Sequence, residues 1–244
     1  MLAVAGARLI SDDDVLVVGL GLPQVAALLA KRTHAPHAVV LLEIGVFEPF
    51  PREPAVGIAD PRMWEEATAF GGMMDVLGRM LSGGRVSLGL LGALQVDPRG
   101  CVNTTLVRDG GTGRRFLGSG GANDIMSLAR RTIILMRHEA RRFRETVDFV
   151  TSPGRRVGGR SRLELGLVGE GPVAIVTDRA LITLSDSGAV LASVHPGEDP
   201  EQVMAETPMM LRLPTGGPEI TPAPSAEALR LLRTEIDAPG WYTR

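Results

Sequence analysis

Apolar positions fall into short unbroken runs in the first half of the chain and into turn-bounded, hairpin-like runs in the second. Val15-Leu16-Val17-Val18 ends in Gly19-Leu20-Gly21-Leu22-Pro23, after which Val25, Leu28 and Leu29 recur at helical spacing up to Lys31 and Arg32. This predicts strand, glycine turn and helix, with Pro23 in the first helical turn, where its missing N–H is no loss. Ala38-Val39-Val40-Leu41-Leu42 reads as a second buried strand. The interval between the two leaves room for one crossover helix, so a parallel βαβ unit is the economical solution.

Beyond a loop with Pro49, Pro51 and Pro54, residues 63–80 place Trp64, Ala67, Met74, Leu77 and Met80 in a roughly helical pattern broken by Gly71-Gly72. One helix or two short ones are expected there. Residues 86–91 and 101–107 predict two strands, with Asp97-Pro98-Arg99-Gly100 as a turn between them. Residues 132–136 form another buried run, and 173–194 hold two or three shorter strands with a hairpin turn at Ser185-Asp186-Ser187-Gly188. A short helix is expected within residues 1–13. Residues 199–206 and 225–236 predict closing helices, the last capped by Ser225 and surface-exposed, within a C-terminal strand, helix and tail at 208–244. No linker long or polar enough to mark a boundary separates these elements. The expectation is one α/β domain over 1–244: a mostly parallel open sheet, helices on both faces and an antiparallel extension.

Composition narrows the function more than the fold. A net charge of −2 argues against nucleic acid as the main partner, and 4% aromatic residues leave no base-stacking platform. The first residues lack a positive n-region and run into Ser11-Asp12-Asp13-Asp14, so a helix explains them better than a signal peptide. No apolar run approaches the roughly 18–20 residues that span a bilayer. The single cysteine, Cys101, excludes an internal disulfide or a Cys-based zinc cage. A cytoplasmic protein without membrane partners is expected.

Candidate chemistry concentrates at a few positions. In Gly118-Ser119-Gly120-Gly121-Ala122-Asn123-Asp124 three glycines precede an apolar-periodic segment. Glycines there let successive backbone N–H groups converge on an anionic or developing-anionic atom, with a helix start behind them. The competing reading is a plain turn with Asn123 or Asp124 as helix cap. Glu43 ends the second strand and precedes Ile44-Gly45, at the carboxyl end of a strand, where open α/β sheets bind ligands. Its alternative is a strand-end glutamate paired with an arginine; Glu48 and Glu53 are read as solvated. Gly19-Leu20-Gly21 lacks the third glycine of a dinucleotide fingerprint, since position 24 is Gln24. His34, His37, His138 and His195 are too scattered for a recognisable metal set, and no metal is expected. The arginines around Arg137–Arg144 and Arg155–Arg162 are either solvated or in contact with the phosphates of a nucleotide-like ligand.

Taken in order and spacing, Gly19-Leu20-Gly21-Leu22-Pro23, Glu43-Ile44-Gly45, Leu91-Gly92-Ala93-Leu94-Gln95-Val96-Asp97, Asn103 and the 118–124 loop resemble the B (beta) chain type of family I coenzyme A transferases. The glutaconate CoA-transferase-like branch is the nearest in pattern. Asp148-Phe149-Val150-Thr151-Ser152-Pro153-Gly154, Val176-Thr177-Asp178 and His195-Pro196-Gly197 extend the resemblance over about residues 14–207. It implies the CoA-transferase/NagB–RpiA-like fold and makes Glu43 the catalytic nucleophile. The same resemblance makes the backbone around Gly118, Gly120, Gly121, Ala122 and Asn123 an oxyanion or CoA-contacting loop. Gly19, Gly21, Gly45, Gln95 and Asn103 become substrate-positioning residues. It implies no permanently bound cofactor, coenzyme A thioester as substrate, a carboxylic acid as CoA acceptor, and a CoA-transferase alpha subunit completing a heterodimer or heterotetramer. The alternatives on the same fold are an acyl-CoA hydrolase, a decarboxylase or lyase, and a non-catalytic ligand-binding subunit. Ile44 stands where many relatives carry Asn or Ser, which removes a polar group near the glutamate and implies an apolar acyl group.

Overall fold

The computed structural model describes all residues except Pro54, Ile58, Ala59, Gly110, Gly111 and Arg244, and not the side chain of Asp109. Pro54 of the proline-rich loop and Arg244 of the tail therefore lie outside the described residues. The chain begins α1 (Leu2–Ala7), β1 (Val15–Val18), α2 (Leu22–Lys31), β2 (Val39–Leu42), β3 (Val46–Phe47), β4 (Ala69–Phe70) and β5 (Leu88–Leu91). Two hairpins follow, β6 (Gln95–Val96) with β7 (Val102–Asn103) and β8 (Leu106–Asp109) with β9 (Thr112–Arg115). Next come α3 (Ala122–Leu128), β10 (Arg131–Leu135) and a small pair, β11 (Arg156–Val157) with β12 (Arg160–Ser161). The end of the chain supplies β13 (Gly171–Val176), β14 (Ala180–Ser185), β15 (Gly188–Val194), α4 (Pro200–Ala205), β16 (Leu211–Arg212), β17 (Glu219–Ile220) and α5 (Ala226–Leu231).

The large sheet runs β16-β15-β14-β13-β10-β5-β1-β2-β3-β4, with β17 also on β15. Its centre, from β13 through β2, is parallel. Both flanks turn antiparallel, through β14 and β15 on one side and β3 and β4 on the other. The unbroken apolar runs are explained by this layering, because a central strand is covered on both faces. Leu16, Val18, Val40, Leu42, Ile133 and Leu135 face the layer of α1, α2 and α5, while Val17, Leu41 and Ile134 face the opposite layer. That second layer holds the π-helix Met74–Leu81, α3 and α4. At the amino end of the central strands Asp14, only 5% exposed, takes two hydrogen bonds from Arg131 at 2.8 and 3.1 Å and one from Ser87 at 2.6 Å.

Several boundaries differ from the sequence expectation for physical reasons. Residues 63–80 form a short 3-10 turn at Pro61–Trp64, then β4, then the π-helix Met74–Leu81. The break falls at Gly71-Gly72, where Gly71 N–H donates to Gly45 O at 2.7 Å and the chain joins the sheet edge. Residues 101–107 split between β7 and β8, because Asn103 Oδ1 accepts from the N–H groups of Thr105 and Leu106 and bends the chain. The first helix covers only Leu2–Ala7 and is buried throughout. The closing helix is capped by Ser225, which accepts from Ala228 N–H, but it is amphipathic rather than surface-exposed. It sinks Ala228, Leu231, Leu232 and Ile236 into the core. Glu48 is not solvated: it pairs with Lys31 at 2.8 Å and accepts from Val40 N–H.

Gly89, at the centre of β5, sets the approach of α3 to the sheet. A Cβ there would stand 2.4 Å from Ile125 Cγ2 and 2.9 Å from Thr132 Cγ2. Gly89→Ala is expected to overpack this contact, destabilising the fold by about 1–3 kcal/mol and lowering Tm by several degrees, as thermal unfolding will check.

Candidate active site

Glu43 follows the last residue of β2, at the carboxyl ends of the parallel strands. The chain turns there because Gly45 N–H donates to Leu42 O at 2.9 Å, and β3 returns antiparallel along β2. Gly45 has φ +100°, and a Cβ on it would stand 2.5 Å from Gly71 O. Its lack of a side chain serves the turn and the close approach of this neighbouring backbone. Glu43 is left half-buried beside the turn.

The glycine loop reaches Glu43 from a distant part of the chain. Gly118 (φ +88°) and Gly120 (φ +48°) adopt left-handed backbone, and Gly121 then caps the start of α3. Gly121 N–H donates to Glu43 Oε2 at 3.0 Å. A Cβ on Gly121 would lie 2.1 Å from that same oxygen, so the contact requires glycine although its φ of −79° suits any residue. Burial pushes the Glu43 carboxyl above its ordinary range; the Gly121 hydrogen bond opposes the rise and nearby Asp124 adds to it. Ala122 N–H is turned back to Ser119 O at 2.9 Å. Of the loop donors, Gly121 is the one engaged with the carboxylate.

A buried polar network holds the loop from behind. Thr104 Oγ1 donates to Gly118 O at 2.7 Å, and Gly118 N–H donates to Thr104 O at 3.1 Å. Thr104 N–H in turn donates to Thr151 Oγ1 at 2.9 Å, and Asn123 Nδ2 donates to Thr151 O at 2.7 Å. Asn103, fully buried, donates to Gln95 Oε1 at 2.7 Å, and Gln95 Nε2 donates to Asp148 at 2.8 Å. Gln95, Asn103 and Asn123 therefore spend their side chains on one another, on Thr151 and on Asp148. They position the loop, and none of the hydrogen bonds they form goes to Glu43. Asn123 does not cap α3 either; the helix start has no side-chain cap. Thr104, Thr151 and Ser119 belong to the site's frame or wall and were not singled out from the sequence. The only signal for them was membership of the loop and of the Thr-Ser-Pro-Gly segment.

Glu43 opens into a cavity of about 200 Å³. Gly19, Ser119, Gly121 and Ala122 line it together with Val18, Leu42, Ile44, Met63, Leu91 and Ile125. Gly19 closes the end of β1 onto β5, donating to Leu90 O at 2.8 Å. Gly21 does not line this cavity: it starts α2 at φ +79°, and a Cβ there would meet the Tyr242 ring at 3.2 Å. The C-terminal tail thus packs on this turn, with Tyr242 Oη donating to Ala55 O at 2.9 Å. His138 and His195 are buried and hydrogen-bonded around Thr177. Among the described residues no cluster of three or more His, Cys, Asp or Glu could hold a metal ion, and no helix is long and apolar enough to cross a membrane. What remains is a partly desolvated carboxylate, one aimed backbone donor and an apolar hollow. That combination suits attack on, or proton transfer with, an organic substrate.

The family model described as "Coenzyme A transferase" matches residues 1–205. The chain is 36% identical over 237 residues to the beta subunit of the 3-oxoadipate CoA-transferase of Pseudomonas knackmussii, covering 96% of this chain and 90% of that one. It is 35% identical over 248 residues to the beta subunit of the glutaconate CoA-transferase of Acidaminococcus fermentans, covering 98% and 92%. The crystal structure of the glutaconate coenzyme A-transferase of that organism superposes with a TM-score of 0.87 at 33% identity, over 100% of this chain and 96% of that one. A decarboxylase, AibA/AibB, superposes at 0.82 with 24% identity over 99% and 95% of the two chains, and shares the fold.

The raised Glu43 pKa has a consequence for stability. Between the ordinary glutamate value of 4.5 and the higher folded-state value, the native protein holds a proton that the unfolded chain has lost. Stability therefore falls as pH rises through that window and stays lower above it. Glu43→Gln removes the penalised charge, so the variant is expected to melt above the parent at pH about 7, with the difference closing below pH about 4. Scanning calorimetry at the two pH values checks this.

Proposed function

Because the chain belongs to the coenzyme A transferase family, we propose that Glu43 is the nucleophile of a CoA-transferase beta subunit moving CoA from an acyl-CoA to a carboxylic acid. The observation that carries this reading is the 3.0 Å hydrogen bond from Gly121 N–H to the Glu43 carboxylate at the mouth of an apolar cavity.

The Glu43 carboxylate attacks the thioester carbonyl carbon; the C–S bond breaks, giving a mixed anhydride and CoA thiolate. The thiolate then attacks the glutamyl carbonyl, breaking the anhydride C–O bond, releasing the first acid as a carboxylate and leaving a glutamyl-CoA thioester. A second carboxylate takes the CoA by the same two steps in reverse, regenerating Glu43. No resident metal or redox cofactor enters these steps; the coenzyme A thioester is substrate. A carboxylate is a weak nucleophile in water, and partial burial removes some of the hydration that weakens it. Each addition at the glutamyl carbon puts negative charge on an oxygen within reach of Gly121 N–H, which stabilises the transition state most when the charge is fullest. Val18, Leu42, Ile44, Leu91 and Ile125 present hydrocarbon surface around the carboxylate, which suits the apolar part of an acyl group. Gln95, Asn103, Asn123 and Gly118 act as positioning residues by holding the loop at its distance from Glu43. An alpha subunit completes the enzyme as a heterodimer or a dimer of such pairs, as the beta-subunit relatives imply.

With the complex of both subunits and an acyl-CoA in the absence of acceptor acid, mass spectrometry should find CoA covalently attached at Glu43. Transfer that proceeds with Glu43 unmodified would sink the reading, as would thioester consumption that needs no acceptor. Gly121→Ala tests the loop separately. It should keep the fold, because its backbone is ordinary, yet lower kcat about 100-fold or more by displacing the carboxylate and its donor; unchanged steady-state kinetics would contradict it. The acid limb of the kcat/KM profile should lie above the ordinary glutamate value of 4.5, rate being lost as falling pH protonates Glu43.

A further inference from the structure

A second and larger concavity, of about 600 Å³, lies outside the Glu43 cavity, between the β8–β9 hairpin and the segment 141–144. Arg108, Arg114, Arg141, Arg142 and Arg144 all line it, with Phe116 beside them. Five guanidinium groups around one hollow repel one another, and a chain of net charge −2 has no general excess of cations to spread. Glu139 offsets part of this charge, reaching Arg141 at 2.5 Å and Arg142 at 3.0 Å. Among the described residues Arg108, Arg114 and Arg144 make no ion pair. The Nε atoms of Arg142 and Arg144 are buried without a hydrogen-bond partner, an arrangement that is costly unless a further acceptor arrives. Arg114 stands over the Phe116 ring at 5.1 Å, so a flat apolar surface borders the cationic one. Several forked donors next to an aromatic face are the recognition chemistry of a phosphorylated nucleotide.

We propose that this arginine-lined hollow receives the phosphates of the nucleotide end of coenzyme A, an inference that rests on the Glu43 reading above. The two hollows are linked through the chain. Phe116 precedes Gly121 by five residues, which limits their separation to about 18 Å. Gln95 lines the arginine hollow and also belongs to the hydrogen-bond network that holds the glycine loop. In a CoA thioester the phosphates and the sulfur lie at opposite ends of the pantetheine arm. A thioester at Glu43 with its phosphates among these arginines uses both sites at once, and binding energy from the distant phosphates supports the unfavourable anhydride step. Arg108 and Arg114 are exposed and can be replaced without opening the core.

The test uses the complex with the alpha subunit, as parent and as the Arg108→Ala/Arg114→Ala variant. Calorimetric titration with adenosine 3′,5′-bisphosphate should show binding to the parent and at least about tenfold weaker binding to the variant. The preference for an acyl-CoA over the corresponding acyl-pantetheine, taken as a ratio of kcat/KM values, should fall by about tenfold or more. Equal bisphosphate binding by the two proteins overturns the proposal, as does an unchanged ratio. Loss of the alpha subunit from the variant on gel filtration also overturns it, since the hollow then seats an acidic segment of the partner. If the parent forms no adduct at Glu43, the nucleophile reading fails, and the bisphosphate titration still decides the arginine site on its own.

Discussion

The hydrogen bond between Gly121 N–H and the Glu43 carboxylate joins positions 78 residues apart, and most of the fold's peculiarities serve it. One partner sits in the turn that ends β2, the other at the start of α3 on the far side of β1 and β5. Bringing them to 3.0 Å requires the strand order β2-β1-β5-β10 and a helix pressed against a side-chain-free point of β5. A loop of left-handed glycines rising to the carboxyl ends of the strands completes the approach. The contact leaves no room for a Cβ, so a loop with any other residue at 121 would hold the carboxylate elsewhere.

This arrangement works against stability at two points. Glu43 is partly stripped of water, which raises its pKa and makes its charged form unfavourable at neutral pH. Polar side chains are buried under the loop, and they are tolerated because Gln95, Asn103, Thr104, Thr151 and Asp148 satisfy one another. Such a network has little freedom to relax. It holds the donor rigidly where charge develops, which is how preorganised electrostatics accelerates acyl transfer.

Much of this could be read from residue order. The runs at Val15 and Val39, the turn at Asp97–Gly100, the hairpin at Ser185–Gly188 and the strand-end placement of Glu43 all follow local patterns that tertiary contacts reinforce. The elements that escaped are those whose shape depends on remote partners. Residues 63–80 keep a helical apolar period, yet the chain breaks at Gly71 because Gly45 offers a sheet edge. Gly21 and Gly45 read as space for a ligand, whereas one accommodates Tyr242 and the other the backbone at Gly71. Asn123 reads as a cap or an oxyanion donor until Thr151 is seen to occupy its amide. Glycine announces a close approach without naming what approaches, and an amide announces a hydrogen bond without naming its partner.

The central claim is that the Glu43 carboxylate itself becomes part of the intermediates, and the fate of its oxygens tests this most directly. When a carboxylic acid labelled with heavy oxygen accepts CoA from the glutamyl-CoA enzyme, the bridging oxygen of the anhydride comes from the labelled acid. It stays with Glu43 when the anhydride is cleaved at the acceptor's carbonyl. After a single turnover of the complex, the peptide containing Glu43 should carry one heavy oxygen atom. A peptide that remains unlabelled while labelled acyl-CoA accumulates would contradict the account.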